Sequence, residues 1–496
     1  MKQLFSLILI LLMATTAFAR KPLKKRKHNV NRVLKTMVAD PHFKTAGFGF
    51  LAVDVNSGEI ISEYNPDMAL RPASNLKLVS TATALELLSP GFRFMTLLQC
   101  SGKIDTVQHL LRGNIIIKGG GDPSLGSKYF EDTKSKQFLA RWVKSIQYLG
   151  IDSITGAVIA DAGFFSRDMI PVSWSWQNLG NYFGAGACGL TIFDNCYFAC
   201  FNTGVRVGDT VKLTTVFPAI PGLAFSVEAT ADTIDYDNSN IYGVPYCNQR
   251  FINGTLPVGK SRFCVKGSMP DPALVAALQL DSALSSNHIG RGMPATTIRV
   301  LKNSGRESSY KTETFDTLLS PRLAEIIAQT NTKSINLFAE HCALAAGLAL
   351  GAVPETAMAM DSVKSFWKQR GMDTEGMRLT DGSGLSQYDV ITPKQLVFLL
   401  SYMQNRSRWF DDFYNSLAVG GQSGTLEDMF HGTCAEGNIR AKSGTIDGAK
   451  SYSGYVVAKS GREVAFSMIV NNFSCSSKEA KSKLEKLMVA LAEFEK

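Results

Sequence analysis

Ser74 and Lys77 stand three residues apart at the mouth of a helical segment, and that spacing constrains the chain more than any other feature. The segment runs from Arg71 and Pro72 to Leu88, with Leu76, Val79, Leu85 and Leu88 recurring at helical spacing. Residues i and i+3 share a helix face, so the Ser74 hydroxyl and the Lys77 amine can meet. A helix start also leaves backbone N–H groups free, which suits a developing oxyanion. Just upstream, Gly47 to Tyr64 reads as two short strands around a turn at Val55 to Gly58. The pair is therefore the core of a serine acyl-transfer site that needs no histidine.

The same spacing occurs at Ser308 with Lys311, in a polar stretch, and at Ser365 with Lys368, on the solvent side of a helical run. The setting separates Ser74 from these decoys. Two more motifs follow in order. Ser334-Ile335-Asn336 opens an apolar helical run that reaches Ala346, and Lys442-Ser443-Gly444-Thr445 lies in a strand-like stretch. Each has its own decoy. Ser285-Ser286-Asn287 follows a helix in a polar loop, and Lys459-Ser460-Gly461 reads as the tip of a β-hairpin.

The trio resembles that of the penicillin-binding proteins and serine β-lactamases. Further stretches narrow the resemblance: Gly121-Asp-Pro-Ser-Leu125, Asp381-Gly-Ser-Gly-Leu-Ser386 with Ile391-Thr-Pro393, and Gly424-Thr-Leu426 ahead of Arg440-Ala-Lys-Ser-Gly-Thr445. With Pro72 to Lys77 they look like the D-alanyl-D-alanine carboxypeptidase/endopeptidase family, the class C low-molecular-mass penicillin-binding proteins. Ser74 and Ser334 lie 260 residues apart. A β-lactamase has a far shorter gap, so a large insertion is expected, as in that family.

The resemblance implies an α/β (α+β) fold: a penicillin-binding/serine β-lactamase-like catalytic domain carrying a large β-rich insertion made of two nested smaller domains. Residues 38–95 and 290–496 are expected to form the catalytic domain, 96–199 and 269–289 the inserted domain, and 200–268 the nested third domain. Residues 1–19 read as a secretory signal: Lys2, an apolar stretch from Leu4 to Met13, then Ala17-Phe18-Ala19 as a cleavage site. Export to the periplasm is the expectation. No later run is long enough to cross a membrane.

The 496 residues carry a net charge of +9, with 45% apolar and 19% charged residues, as in globular proteins. Residues 20–37 form a basic leader. Arg20 to Lys35 holds eight Lys and Arg and no acid, so the body without it is near neutral. That excludes the basic face of a nucleic-acid binder. The run itself suits a solvated leader, with weak contact to anionic membrane lipid or wall polymer as its further use.

Nine cysteines leave at least one thiol free; Cys247 with Cys264, or two of Cys188, Cys196 and Cys200, are the nearest pairs in sequence. Cys196 and Cys200 have no histidine pair nearby, so no metal and no cofactor are expected.

The resemblance implies a serine peptidase of peptidoglycan stem peptides that β-lactams acylate at Ser74. Lys77 is its base, helped by the second positive charge of Lys442. Ser334 relays a proton to the leaving amine and Asn336 holds the substrate amide. Lys442, Ser443 and Thr445, flanking Gly444, hold the terminal carboxylate, and the backbone N–H groups of Ser74 and Thr445 form the oxyanion hole. A β-lactamase and an inactive wall-binding relative are the rival readings. No histidine supports a triad, and His341 reads as a packed helix residue. Trp174 to Gly184 is an aromatic loop in which Gln177 and Asn178 follow Trp176, where family members often carry Asp. This weakens the expectation of a cationic stem-peptide amine there.

Overall fold

The computed structural model describes residues 30–133 and 137–495. The signal segment and the first part of the basic run lie outside the described residues.

Strand periodicity divides the catalytic core in two. Along Gly47–Asp54, Phe48, Phe50 and Ala52 enter one core while Leu51 and Val53 enter another. Glu463–Asn471 does the same, with Phe466 and Met468 on one side and Ala465 and Ile469 on the other. Both strands belong to a six-stranded antiparallel sheet, ordered Ala418–Val419, Arg440–Ile446, Ala449–Val457, Glu463–Asn471, Gly47–Asp54 and Ile60–Tyr64. On one face pack the helices Lys77–Leu88, Leu323–Lys333, Asn336–Ala349, Thr356–Gln369 and Pro393–Arg406. On the other lie Val30–Val38 and Ser477–Ala492.

The helix Val30–Val38 corrects the picture of a wholly solvated basic leader. Val30, Leu34 and Met37 are buried against the C-terminal helix, while Arg32 and Lys35 face out. Their spacing makes one apolar stripe, and burying such a stripe is what docks a short helix.

The insertion begins at Met95–Ser101. This strand sits in a five-stranded mixed sheet ordered Thr296–Thr297, Val158–Asp161, Ile115–Lys118, Met95–Ser101 and Thr312–Leu319. The expected return to the catalytic domain at residue 290 is therefore too early. Thr312–Leu319 pairs along its length with Met95–Ser101, and Gly290–Arg291 pairs with Ser153–Ile154. Strand pairing keeps residues 290–319 with the insertion. The chain rejoins the catalytic helices at Leu323, whose backbone N–H bonds to the carbonyl of Phe92.

Inside the insertion, Tyr197, Phe201, Ile241, Ile252 and Val265 pack into a separate small core between two sheets. A disulfide joins Cys200 to Cys264. These residues face each other on paired antiparallel strands, which the sequence neighbours considered for pairing do not.

Candidate active site

Ser74 lies in a single 3₁₀ turn, Ala73–Leu76, that runs directly into the helix Lys77–Leu88. Two close approaches fix this turn. Ala73 is held at φ +48°, and Gly384 lies so near that a Cβ there would stand 1.9 Å from the Ala73 carbonyl oxygen. On the other side a Cβ on Gly444 would stand 2.5 Å from the Pro72 carbonyl oxygen and 3.0 Å from the Ser74 nitrogen. Glycine at 444 thus lets the edge of strand Arg440–Ile446 approach the Ser74 backbone.

Lys77 is fully buried. Its Nζ lies 2.6 Å from Asn336 Oδ1, 2.7 Å from the Ser383 carbonyl oxygen and 2.9 Å from Ser74 Oγ. The first two partners accept hydrogen bonds only, so they take two N–H bonds. A neutral amine then has one lone pair left, directed at the Ser74 hydroxyl. Burial lowers the Lys77 pKa to about 7, against the charges of Asp381 and Glu340, which raise it.

Ser334 is the left-handed residue (φ 62°) ending Leu323–Lys333, one residue before the cap of Asn336–Ala349. Its Oγ is 2.9 Å from Lys442 Nζ, which also donates to the Ser443 carbonyl at 2.6 Å. Burial, and then the nearby Lys77, push the Lys442 pKa well below its usual value. The expectation that Lys442 keeps Lys77 neutral is thus refined: desolvation is the main cause at Lys77. Asn336 turns its Nδ2 to the Phe183 carbonyl at 2.8 Å, which fixes its amide orientation. Ser443 Oγ is 2.7 Å from Thr425 Oγ1, and Lys450 Nζ is 3.0 Å from Thr445 Oγ1. A cleft of about 350 Å³ is walled by Ser74, Ser334, Asn336 and Thr445, with Gln177 and Asn178 from the insertion.

The structure thus gathers the eight residues: Ser74, Ser334, Asn336 and Thr445 line the cleft, the buried Lys77 and Lys442 reach Ser74 and Ser334 from behind it, and Ser443 and Gly444 lie on the same strand as Lys442 and Thr445. The decoys stay away from the cleft: Ser365, Lys368, Lys459 and Ser460 are exposed on other surfaces.

Beneath the cleft lies a group of acids that sequence reasoning largely missed. Asp381 accepts the backbone N–H groups of Ser383, Gly384 and Ser386, and this curls the loop so that the Ser383 carbonyl reaches Lys77. Glu340 accepts from the Gly382 N–H at 2.9 Å; burial, with the charge of Asp381, raises its pKa to about 8. Glu340 follows Asn336 by one helical turn, a spacing that places both on one face and was the available signal. His341 is buried, its pKa lowered to about 4 by desolvation. Nδ1 lies 2.8 Å from the Gly121 carbonyl and so carries the proton, leaving Nε2 to accept from Thr191 Oγ1 at 3.1 Å. It ties the insertion to the catalytic helix. Among the described residues no cluster of His, Cys, Asp and Glu is arranged to hold a metal ion, and no helix is long and apolar enough to cross a membrane.

A profile of the D-Ala-D-Ala carboxypeptidase 3 (S13) family matches residues 30–494. The chain belongs to the D-Ala-D-Ala carboxypeptidase 3 (S13) family. It is a serine-type D-alanyl-D-alanine peptidase, a hydrolase. A D-alanyl-D-alanine carboxypeptidase of an Actinomadura species is 28% identical over 459 residues, covering 89% of this chain and 80% of that protein. The carboxypeptidase DacB of Haemophilus influenzae is 24% identical over 446 residues, covering 88% of this chain and 87% of its own. The crystal structure of penicillin-binding protein 4 from the same organism superposes with a TM-score of 0.77 at 22% identity, covering 93% of this chain and 98% of that one. This S13 member therefore has the penicillin-binding/β-lactamase-like α/β fold with additional domains.

Proposed function

We propose that this S13 peptidase cleaves the D-Ala-D-Ala bond of peptidoglycan stem peptides through an acyl-enzyme on Ser74. The observation that carries this reading is the shared reach of two buried lysines: Lys77 to Ser74 Oγ, and Lys442 to Ser334 Oγ, each at 2.9 Å.

Ser74 Oγ attacks the carbonyl carbon of the penultimate D-Ala while its proton passes to the neutral Lys77 amine. The backbone N–H groups of Ser74 and Thr445 stabilise the oxyanion. The C–N bond then breaks, and Ser334 delivers the proton to the leaving amine. Asn336 has a second N–H for the substrate amide. Lys442, Ser443 and Thr445 bind the terminal carboxylate. Two amines buried together are costly as a pair of cations. An arriving carboxylate restores the charge on Lys442 and leaves Lys77 neutral, the form a base requires. Water attacking the ester completes the hydrolysis, and the same centre can cut DD cross-links. The insertion domains frame the peptide side of the cleft, and export to the periplasm brings the enzyme to its substrate.

A crystal structure of the Haemophilus penicillin-binding protein 4 holds a β-lactam. We infer that β-lactams acylate Ser74 here. The test is intact mass after incubation with a fluorescent penicillin. A stable adduct on wild type and none on Ser74→Ala is the expected result. An adduct that persists on the variant moves the nucleophile elsewhere. An adduct that vanishes within seconds favours a β-lactamase, and none on either protein favours an inactive wall-binding protein.

A further inference from the structure

Behind the turn at Ser334 lies a second cavity, of about 480 Å³. Ser334, Asn336, Tyr182 and Phe183 line both it and the catalytic cleft, so the two spaces meet across these residues. Its far wall comes from the insertion and is unlike the cleft in charge. Lys128 and Lys266 come from that wall and Lys333 from the end of the catalytic helix Leu323–Lys333, with Asp194 as the one carboxylate among the described residues. Lys266 Nζ sits 5.5 Å from the Tyr182 ring centre and 5.7 Å from that of Phe198, and Lys128 Nζ sits 4.9 Å from that of Tyr129. These aromatic faces are weak partners for an ammonium beside a carboxylate. Lys128 and Lys266 face each other, and burial with the charge of Lys128 lowers the Lys266 pKa. The Asp194 carboxylate buries its Oδ1 without a hydrogen-bond partner.

The position decides what such a cavity receives. On the mechanism above, Ser334 stands at the leaving nitrogen. With the carboxylate of the leaving residue on Lys442, Ser443 and Thr445, any larger group on that nitrogen has this cavity beside it, since Ser334 lines both spaces. A single departing D-Ala has no use for a further 480 Å³ lined by three lysines. A second peptide strand with its own carboxylates does.

We propose that this cavity is a leaving-strand subsite, which binds the acidic peptide attached through its side-chain amine to the bond being cut. The proposal rests on the reading of Ser74 as nucleophile and Ser334 as the group at the leaving amine. In that reaction the acyl C–N bond breaks, the Ser74 Oγ–C bond forms, and the amine of the departing strand takes the proton that Ser74 gave to Lys77. Lys128 and Lys266 pair with carboxylates of the departing strand.

The test uses the mature chain, with Lys128→Glu and Lys266→Glu, on a DD-cross-linked peptide dimer and on a short N-acylated D-Ala-D-Ala peptide. Penicillin acylation of each variant reports an intact fold and centre. On the dimer, each variant should raise KM roughly tenfold, since a charge-assisted contact is replaced by repulsion, with kcat little changed. On the short peptide and on penicillin both variants should match wild type. The same KM for the dimer in variants and wild type, or equal losses on both substrates, overturns the subsite while leaving the catalytic reading standing. Failure of wild type to be acylated at all overturns the catalytic reading and the subsite with it.

Discussion

Trp174 donates its indole N–H to Asp381 Oδ2 across 2.7 Å, although 207 residues separate them. The aromatic loop of the insertion is thereby fastened to the loop that aims the Ser383 carbonyl at Lys77. Trp174→Phe keeps an aromatic ring, though a smaller one, and removes the donor. It should cost about 1–3 kcal/mol, the usual penalty for a buried acceptor that loses a partner, and slow penicillin acylation. Thermal unfolding and the acylation rate check this together; a variant unchanged in both would show that the contact holds nothing in place.

On the proposed mechanism Lys77 is the base, and this fixes the sign of the pH dependence. Lys77 accepts a proton only when neutral, and burial lowers its pKa to about 7. Acylation should therefore rise with pH, pass half its maximum near pH 7 and level off above. Lys77→Arg, whose guanidinium keeps its proton, should acylate negligibly at every pH. A second-order acylation rate that stays flat from about pH 5 to pH 9 would remove Lys77 from the role of base.

Gly384 allows the turn that presents Ser74. An added Cβ would meet the Ala73 carbonyl oxygen at 1.9 Å, and the residue sits at φ +78°. Gly384→Ala should displace that turn and lower acylation by roughly 100-fold, the scale of a 1 Å misplacement at a reacting centre. Gly371→Ala is the control: it shares a left-handed backbone (φ +92°) but has open space around it. Equal acylation by the two variants would refute the steric account.

The docked helix Val30–Val38 separates stability from chemistry. Leu34 is 6% exposed, whereas Lys35 faces solvent. Leu34→Ala should cost about 2–4 kcal/mol, as for other buried leucines, and leave the acylation rate of the folded enzyme unchanged. Lys35→Ala should change neither stability nor the acylation rate. Denaturant melts decide it, and a stable Leu34→Ala protein would return the whole segment to the role of solvated leader.

How far the chain was legible follows from how local each signal is. Ser74, Lys77, Ser334 and Lys442 were readable because each sits in a short motif whose helix or strand setting is encoded beside it. The two strands between Gly47 and Tyr64 and the hairpin tip at Lys459 to Gly461 were likewise legible from the turns beside them. Asp381 was legible as part of a motif, but its link to Trp174 was not, since no periodicity relates positions so distant. The pairing of Cys200 with Cys264 depended on strand register. So did the boundary at 290: composition changes little there, and Thr312–Leu319 belongs to the insertion because Met95–Ser101 is its neighbour. The burial of Val30, Leu34 and Met37 was hidden by the lysines and arginines on the opposite face of the same helix.

The order of the sheet carries a consequence for biosynthesis. Gly47–Asp54 is flanked by Ile60–Tyr64 and by Glu463–Asn471, a strand that begins 409 residues after Asp54. A ribosome releases Ser74 long before Lys442, which lies 368 residues further on, so that serine has no strand bearing Lys442 beside it until the later stretch has emerged. A product terminated before Lys442 therefore carries Ser74 and Lys77 already joined by their short spacing, but without the strand that places the second lysine beside Ser334.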